Sequence, residues 1–233
     1  MRPTLHHVPR CISSPIVQCL FELDVVGNPI VIVEQRFADL KTPDYLAINP
    51  MGTCPAFQDE SVVLWESGAV LDYLLECYDT DHKLHPMPIT PSSTPREVTQ
   101  RAKYLQLKQY VIATVYPFIA TLVIHKLTKP HEDQDQEYIQ SATDKVNDLF
   151  VPTLTKWLGE GPYFLGAGIS AVDILMAKPL GNLHQLDLLV QSPPLLALFE
   201  KVKSRPSYKK SYTTIRDGST DPRDSLLVPH ENA

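Results

Sequence analysis

The chain has 233 residues, a net charge of -6, 43% hydrophobic residues and 21% charged residues. That balance suits one large or two small globular domains with a core that needs no covalent staples. It argues against a nucleic-acid partner, which needs clustered Lys and Arg. No stretch approaches the ~20 apolar residues of a membrane span. The N-terminus lacks the apolar run of a secretory signal, so the cytosol is the expected compartment. The four cysteines, Cys11, Cys19, Cys54 and Cys77, form no C-x-x-C pair and are expected as thiols.

Thr4 to Val8 reads as a first strand. Pro15 suits the first turn of a helix with a Ser just ahead of it as N-cap, and Ile16, Val17, Leu20, Phe21 and Leu23 recur at helical spacing. Asn28-Pro29 breaks that helix, and the β-branched run Ile30 to Val33 predicts a second strand. Thr42-Pro43 opens a short turn or helix. Pro55 to Gln58 and Ser61 to Leu64 flank an Asp59-Glu60 turn, a hairpin pattern. From Glu66 to Tyr78 the apolar positions Val70, Leu71, Leu74 and Leu75 predict a helix. The order is β-α-β-α-β-β-α, a mixed sheet with helices.

Pro86, Pro88, Pro91 and Pro95 then punctuate a linker over residues 82–95. Beyond it strand signals nearly vanish. Helical patterns run from Glu97 to Leu127, kinked at Pro117, from Gln136 to Leu158, interrupted by Pro152, from Ser170 to Leu189 and from Pro194 to Lys203. The expected organisation is an α/β domain over 1–81, the linker, an all-α bundle over 96–212 and a mobile polar tail over 213–233.

The chemistry concentrates between Asn49 and Ser67. A Pro that starts a strand after a loop is one of the few places where a cis peptide is useful. A cis Cys54–Pro55 bond would turn the Cys54 backbone N–H and C=O outward, to pair with an extended peptide as a strand edge does. Glu66 and Ser67 fall at a helix start, where N–H groups and the dipole favour a carboxylate. Glu66 adds a negative group for an ammonium, so the pair matches an α-amino acid head. Taken singly, Asn-Pro-x-Gly is a turn and Glu-Ser an N-cap pair; order and spacing make them specific.

In these segments, Asn49-Pro50-Met51-Gly52-Thr53-Cys54-Pro55 and Glu66-Ser67-Gly68-Ala69-Val70-Leu71-Asp72-Tyr73-Leu74, the chain resembles the cytosolic glutathione transferases, with their N-P-x-G-x-V-P and E-S-x-A-I-x-x-Y-L motifs. Tyr163 to Asp173 is similar to the family's Y-L-x-G-x-x-x-S-x-A-D segment, with Ser170 and Asp173 as a capping box, and Lys203-Ser-Arg-Pro206 to its R-P near the last helix. The resemblance covers nearly the whole chain up to Tyr212. It implies a thioredoxin-like α/β N-terminal domain, an all-α C-terminal helical bundle and a homodimer. It also implies glutathione as co-substrate, bound by Thr53, Cys54, Pro55, Glu66 and Ser67, with Lys41 reaching its glycine carboxylate.

Catalysis in this family lowers the pKa of the glutathione thiol, because the thiolate is the nucleophile. A hydroxyl at the first helix start stabilises the anion. Ser13, two residues before Pro15, and Ser14, directly before it, are the candidates, with Ser13 preferred; either could instead only cap the helix. A Cys at position 14 would indicate a thiol mechanism, and here it is Ser. Two departures stand out: Gln18 and its neighbours lack the Arg common after the helix-start Pro, and Cys54 replaces Val. Cys54 close to bound glutathione is a candidate for a mixed disulfide. The resemblance also puts a hydrophobic-substrate pocket on the first long helix of the bundle, around Tyr104, Tyr110 and Tyr116, though bundle core or a dimer face explains such residues equally. His6 and His7, adjacent on a strand, face opposite sides, so no metal is expected. The expected activity is conjugation of glutathione to small hydrophobic electrophiles in detoxification, or glutathione-dependent reduction of hydroperoxides. The alternative is a non-catalytic binding or scaffolding module of the same fold.

Overall fold

The computed structural model describes residues 2–213. The tail expected to be mobile lies, beyond Thr213, outside the described residues. The described residues divide into two compact units: those up to Tyr78 together with residues 206–213, and Asp79–Arg205. The sequence reading drew the boundary at 81/82 and gave residues 206–212 to the bundle. The structure returns them to the first unit.

The first unit runs β1 (Thr4–His7), α1 (Ser13–Glu22), β2 (Val31–Glu34), a 3-10 turn (Asp39–Lys41), α2 (Pro43–Leu46), β3 (Ala56–Gln58), β4 (Val63–Trp65) and α3 (Ser67–Tyr78). This is the expected β-α-β-α-β-β-α order. The sheet order is β2-β1-β3-β4. β1 is parallel to β2, with Leu5 opposite Ile32, and antiparallel to β3, with Leu5 opposite Phe57. Leu5 and Phe57 are therefore central, and both are fully buried. Ile16, Val17 and Leu20 of α1 and Val70, Leu71 and Leu74 of α3 supply the helical faces of this core. In the β3–β4 connection the Asp59 carboxylate accepts the N–H groups of Ser61 (2.7 Å) and Val62 (3.0 Å), which fixes the hairpin turn.

The chain ends its described course in α10 (Pro206–Tyr212), which packs along α1. The contact is polar as well as apolar. Gln18 donates to Ser207 Oγ (3.3 Å), Ser207 in turn bonds the Glu22 carboxylate, and Arg10 donates to the Tyr212 carbonyl (3.3 Å). Arg205-Pro206 is a weak sequence signal because a seven-residue helix has too few turns to show periodicity.

The second unit is all helical: α4 (Pro95–Tyr110), α5 (Tyr116–Val123), α6 (Gln136–Lys145), α7 (Val151–Leu158), α8 (Ala171–Gln185) and α9 (Pro193–Lys203). α4 starts on a capping box: the Thr94 N–H donates to Glu97 Oε2 (2.7 Å) and the Glu97 N–H to Thr94 Oγ1 (3.4 Å). Where the sequence predicts kinks, the structure has π-type turns, Val111–Val115 ahead of Pro117 and Val146–Phe150 ahead of Pro152. Proline lacks the N–H that an α-helical bond to the fourth residue back requires, and the widened turn absorbs that loss without breaking the helix.

The continuous helix Pro95–Thr128 corrects one expectation. It contains an 18-residue window of mean hydropathy 1.6, long and apolar enough to cross a membrane. Length and composition do not separate such a helix from a core helix; this one sends Leu107, Val111, Val115, Ile119 and Leu122 into the bundle, and 28% of the apolar window is buried. At the start of α8 the fully buried Asp173 accepts the Ser170 N–H (2.8 Å), the Ser170 hydroxyl (2.6 Å) and the Phe164 N–H (2.8 Å). Burial pushes its carboxyl up, and those three bonds work against that push. At the unit's other end Asp79, 2% exposed, takes the N–H groups of Lys83 and Leu84 and the His85 ring (2.7 Å).

Candidate functional site: the Asn49–Ser67 stretch and the loop before α1

The loop from Asn49 to Pro55 is built around two polar side chains. Asn49 is fully buried. Its Nδ2 donates to the Thr53 carbonyl (2.8 Å) and Oγ1 (3.1 Å), and its Oδ1 accepts the Met51 N–H (3.0 Å). Tyr45 of α2 donates its hydroxyl to the same Thr53 carbonyl (2.7 Å). Gly52 turns the chain at φ 60, and a Cβ there would lie 2.8 Å from the Leu40 carbonyl oxygen and 2.7 Å from Lys41 Nζ. Only glycine fits that conformation and that space.

These bonds hold Thr53, exposed, and Cys54, half-buried, at the start of β3. The Cys54–Pro55 bond is cis, as the sequence pattern suggests. Among the described residues the backbone N–H and C=O of Cys54 have no hydrogen-bond partner. A strand edge next to a sheet that leaves both groups open is a docking edge for one extended peptide unit.

On the other side of the β3–β4 hairpin, exposed Glu66 has φ 79 and caps α3 by accepting the Val70 N–H on its carbonyl (2.9 Å). A left-handed non-glycine residue costs about 1 kcal/mol. Here it sets a carboxylate beside the α3 N-terminus, where Ser67 and the first N–H groups favour an anion. A negative group and an anion-binding helix end, side by side, fit an ammonium and a carboxylate on one carbon. Lys41, proposed for a second carboxylate, is exposed and donates to the Gly52 carbonyl (3.1 Å). It thus belongs to the same loop, but as a brace of its turn.

The loop before α1 is different. Ser13 and Ser14 are both fully buried. Neither caps the helix: α1 begins at Ser13, its N-cap position is Ile12, and no side chain caps it. The Ser13 hydroxyl donates to the Val8 carbonyl (3.0 Å), accepts the Val8 N–H (3.2 Å) and meets His7 Nδ1 (2.9 Å). The preferred serine is thus a clamp on the end of β1. Ser14 Oγ, by contrast, has no hydrogen-bond partner among the described residues. His7 is 4% exposed; burial lowers its pKa to about 4, against a bond to the Ser211 backbone that acts the other way. The ring lies between the Ser13 hydroxyl and the Ser211 backbone of α10. His6 points to the other face, toward Tyr45 (ring centroids 5.6 Å) and Gln35 (3.0 Å). Among the described residues no three metal-ligating side chains cluster.

In the helical unit the three tyrosines do not share one pocket. Tyr104 is 1% exposed, against His85 and the cations of Arg101 and Lys108. Tyr110 stacks edge-on with Trp157 (5.0 Å) and near Phe150 (6.3 Å), on another face of α4. Tyr116 is half-buried where the π-type turn meets α5. Of the residues that carry the site, Tyr45 was not singled out from the sequence, and His7 was weighed there only as a metal ligand. Each is a buried polar ring, and its partners lie on segments joined only by folding.

Residues 14–76 match the glutathione S-transferase N-terminal domain and residues 117–212 the glutathione S-transferase C-terminal domain. The chain is 28% identical over 204 residues to the glutathione S-transferase-like protein OpS6 of Beauveria bassiana, covering 82% of this chain and 87% of that protein. It is 26% identical over 191 residues to glutathione S-transferase F14 of Arabidopsis thaliana, covering 78% and 72%. The fold is similar to that of the transferase URE2P6 of Phanerochaete chrysosporium in complex with oxidized glutathione (TM-score 0.75, 18% identity, 91% and 94% covered). It is also similar to that of the theta class enzyme of Xanthomonas axonopodis pv. citri with glutathione bound (TM-score 0.72, 22% identity, 91% and 98% covered). With both domains of the family matched over more than half of its length, and with the sheet, helices and cis-proline loop in place, the chain belongs to the glutathione S-transferase family.

Proposed function

We propose that the protein is a glutathione transferase that holds glutathione along Thr53, Cys54 and Pro55, with the γ-glutamyl head between Glu66 and Ser67. The observation that carries this reading is the open Cys54 backbone beside a carboxylate held in a left-handed conformation at the α3 start. The glutathione thiol would then lie toward the N-terminus of α1. There the helix dipole and the uncommitted Ser14 hydroxyl favour the thiolate, which adds to small hydrophobic electrophiles or reduces hydroperoxides. Ser14, rather than Ser13, is the donor in this reading, because Ser13 already serves His7 and Val8. The same reading has the enzyme act in the cytosol as a homodimer, which sedimentation at twice the chain mass tests.

A second reading, binding without turnover, is favoured by one observation: both serines are fully buried. Retention on immobilised glutathione followed by conjugation of a generic aryl halide separates the two. Retention with turnover supports the transferase. Retention without turnover leaves the binding module. A protein that passes through the column loses both.

A further inference from the structure

Cys11 and Cys54 are far apart in sequence and converge in the fold. The β1–β3 register pairs Thr4 with Gln58, Leu5 with Phe57 and His6 with Ala56. Val8 directly follows β1 and Cys54 lies two residues before β3, so both stand at the same end of this antiparallel ladder. The chain then turns, and the Cys11 N–H donates back to the Val8 carbonyl (3.3 Å). Both half-buried thiols consequently pack against one small apolar cluster, Val8, Leu40, Tyr45 and Ala56. The Tyr45 hydroxyl lies 3.2 Å from Cys54 Sγ. The other two thiols sit elsewhere: Cys19 is 1% exposed inside α1, and Cys77 is exposed near the end of α3.

Both cysteines flank the place where the reading above puts glutathione, Cys54 through its own backbone and Cys11 on the loop that leads to Ser13 and Ser14. We propose that Cys11 and Cys54 form a redox thiol pair that takes glutathione disulfide as its substrate and closes to a Cys11–Cys54 disulfide. The proposal rests on the glutathione-binding reading for its choice of disulfide, and on the Val8 geometry for its choice of thiols.

The order of steps follows from position. Burial pushes the Cys54 thiol up to about 12; the Tyr45 hydrogen bond pulls it back and the charge of a Cys11 thiolate adds to the rise. Cys11 lies on the loop that leads into α1, where the proposed function puts the glutathione sulfur, and it attacks first, while the buried Cys54 thiol follows in the second step. The Cys11 sulfur bonds to one sulfur of glutathione disulfide, the glutathione S–S bond breaks, and the departing thiolate takes the proton that Cys11 gave up. Cys54 then attacks Cys11 Sγ. The mixed disulfide breaks, and the second glutathione leaves with the Cys54 proton. One glutathione disulfide is reduced to two glutathione molecules, and two cysteines are oxidised to one disulfide. Excess reduced glutathione reverses both steps.

The test treats the full chain with glutathione disulfide, blocks remaining thiols with a maleimide and maps peptides without reduction. The expected result is a linked Cys11–Cys54 peptide and loss of maleimide labelling at both positions. Cys54→Ser should stop at a glutathione adduct on Cys11, and Cys11→Ser should give neither link nor Cys54 adduct. A map without the linked peptide, or with adducts only on Cys77, overturns the proposal. Retention on immobilised glutathione and a parallel run with hydroxyethyl disulfide isolate the two ideas. Protein that is retained yet never links overturns the thiol pair alone. Protein that links with hydroxyethyl disulfide only, and is not retained, overturns the glutathione reading and with it the substrate proposed here.

Discussion

Two loops of the first unit carry chemistry-bearing residues, and they handle their polar groups in opposite ways. Between Asn49 and Pro55 the side chains of Asn49 and Tyr45 are spent on the loop itself, and the Cys54 backbone groups have no hydrogen-bond partner among the described residues. Before α1 the reverse holds for Ser13, whose buried hydroxyl is spent on His7 and Val8. A buried hydroxyl with three partners has little left to offer a ligand, whereas a braced loop with open backbone offers two fixed groups at no further ordering cost. The first loop is organised to bind and the second to hold the sheet, α1 and α10 together.

Substitutions can break this contrast. The largest effect is expected for Gly52→Ala, whose Cβ would meet the Leu40 carbonyl oxygen at 2.8 Å in a left-handed conformation. It should cost about 3 kcal/mol in denaturant unfolding and abolish retention on glutathione, since the loop cannot keep its turn. Unfolding by acid tests the second loop. The folded pKa of His7 is about 4, below the ordinary 6.5, so the unfolded chain binds the proton more tightly. Stability from this group is complete above pH 6.5 and is lost as pH falls toward 4, a decline of about 3 kcal/mol. His7→Gln should flatten that part of the pH profile; an unchanged profile would show that His7 does not stay neutral.

Ser13→Ala should cost about 2 kcal/mol, because it strands the buried Val8 N–H and the His7 ring, with glutathione retention kept. Ser14→Ala removes a hydroxyl without a partner and should leave stability within about 0.5 kcal/mol while lowering turnover. Turnover lost in Ser13→Ala and kept in Ser14→Ala would reverse the assignment of the two serines. One substitution in the first loop separates stability from binding. Glu66→Gly relieves the left-handed strain and should raise stability by about 1 kcal/mol, while glutathione affinity falls about tenfold. Gain of stability with loss of binding is the signature of a residue held for its ligand.

The element order of the first unit, the cis Cys54–Pro55 bond and the long helices of the second were all legible in the sequence. Period-2 runs, proline positions and apolar spacing are local, and these elements obey local rules. The start of α1 was not, since Ser-Ser-Pro reads as a cap and the structure gives the helix no side-chain cap. A hydroxyl can bond its own helix end or a neighbouring strand, and here Ser13 bonds both the N–H and the carbonyl of Val8 at the end of β1. The surroundings of the long-helix tyrosines were open for a related reason: spacing puts residues on a helix, but only packing decides that Tyr104 faces His85 and Tyr110 faces Trp157.

By itself, then, the sequence determined the two-part organisation, the Asn49–Ser67 motif and the family it belongs to, because each rests on residues close together along the chain. Tertiary structure alone decided that α10 returns to pack along α1, that His7 lies between Ser13 and α10, and that Cys11 and Cys54 pack against one apolar cluster. Each of these joins residues dozens or hundreds of positions apart. Such contacts depend on strand register and helix docking, which no local pattern encodes.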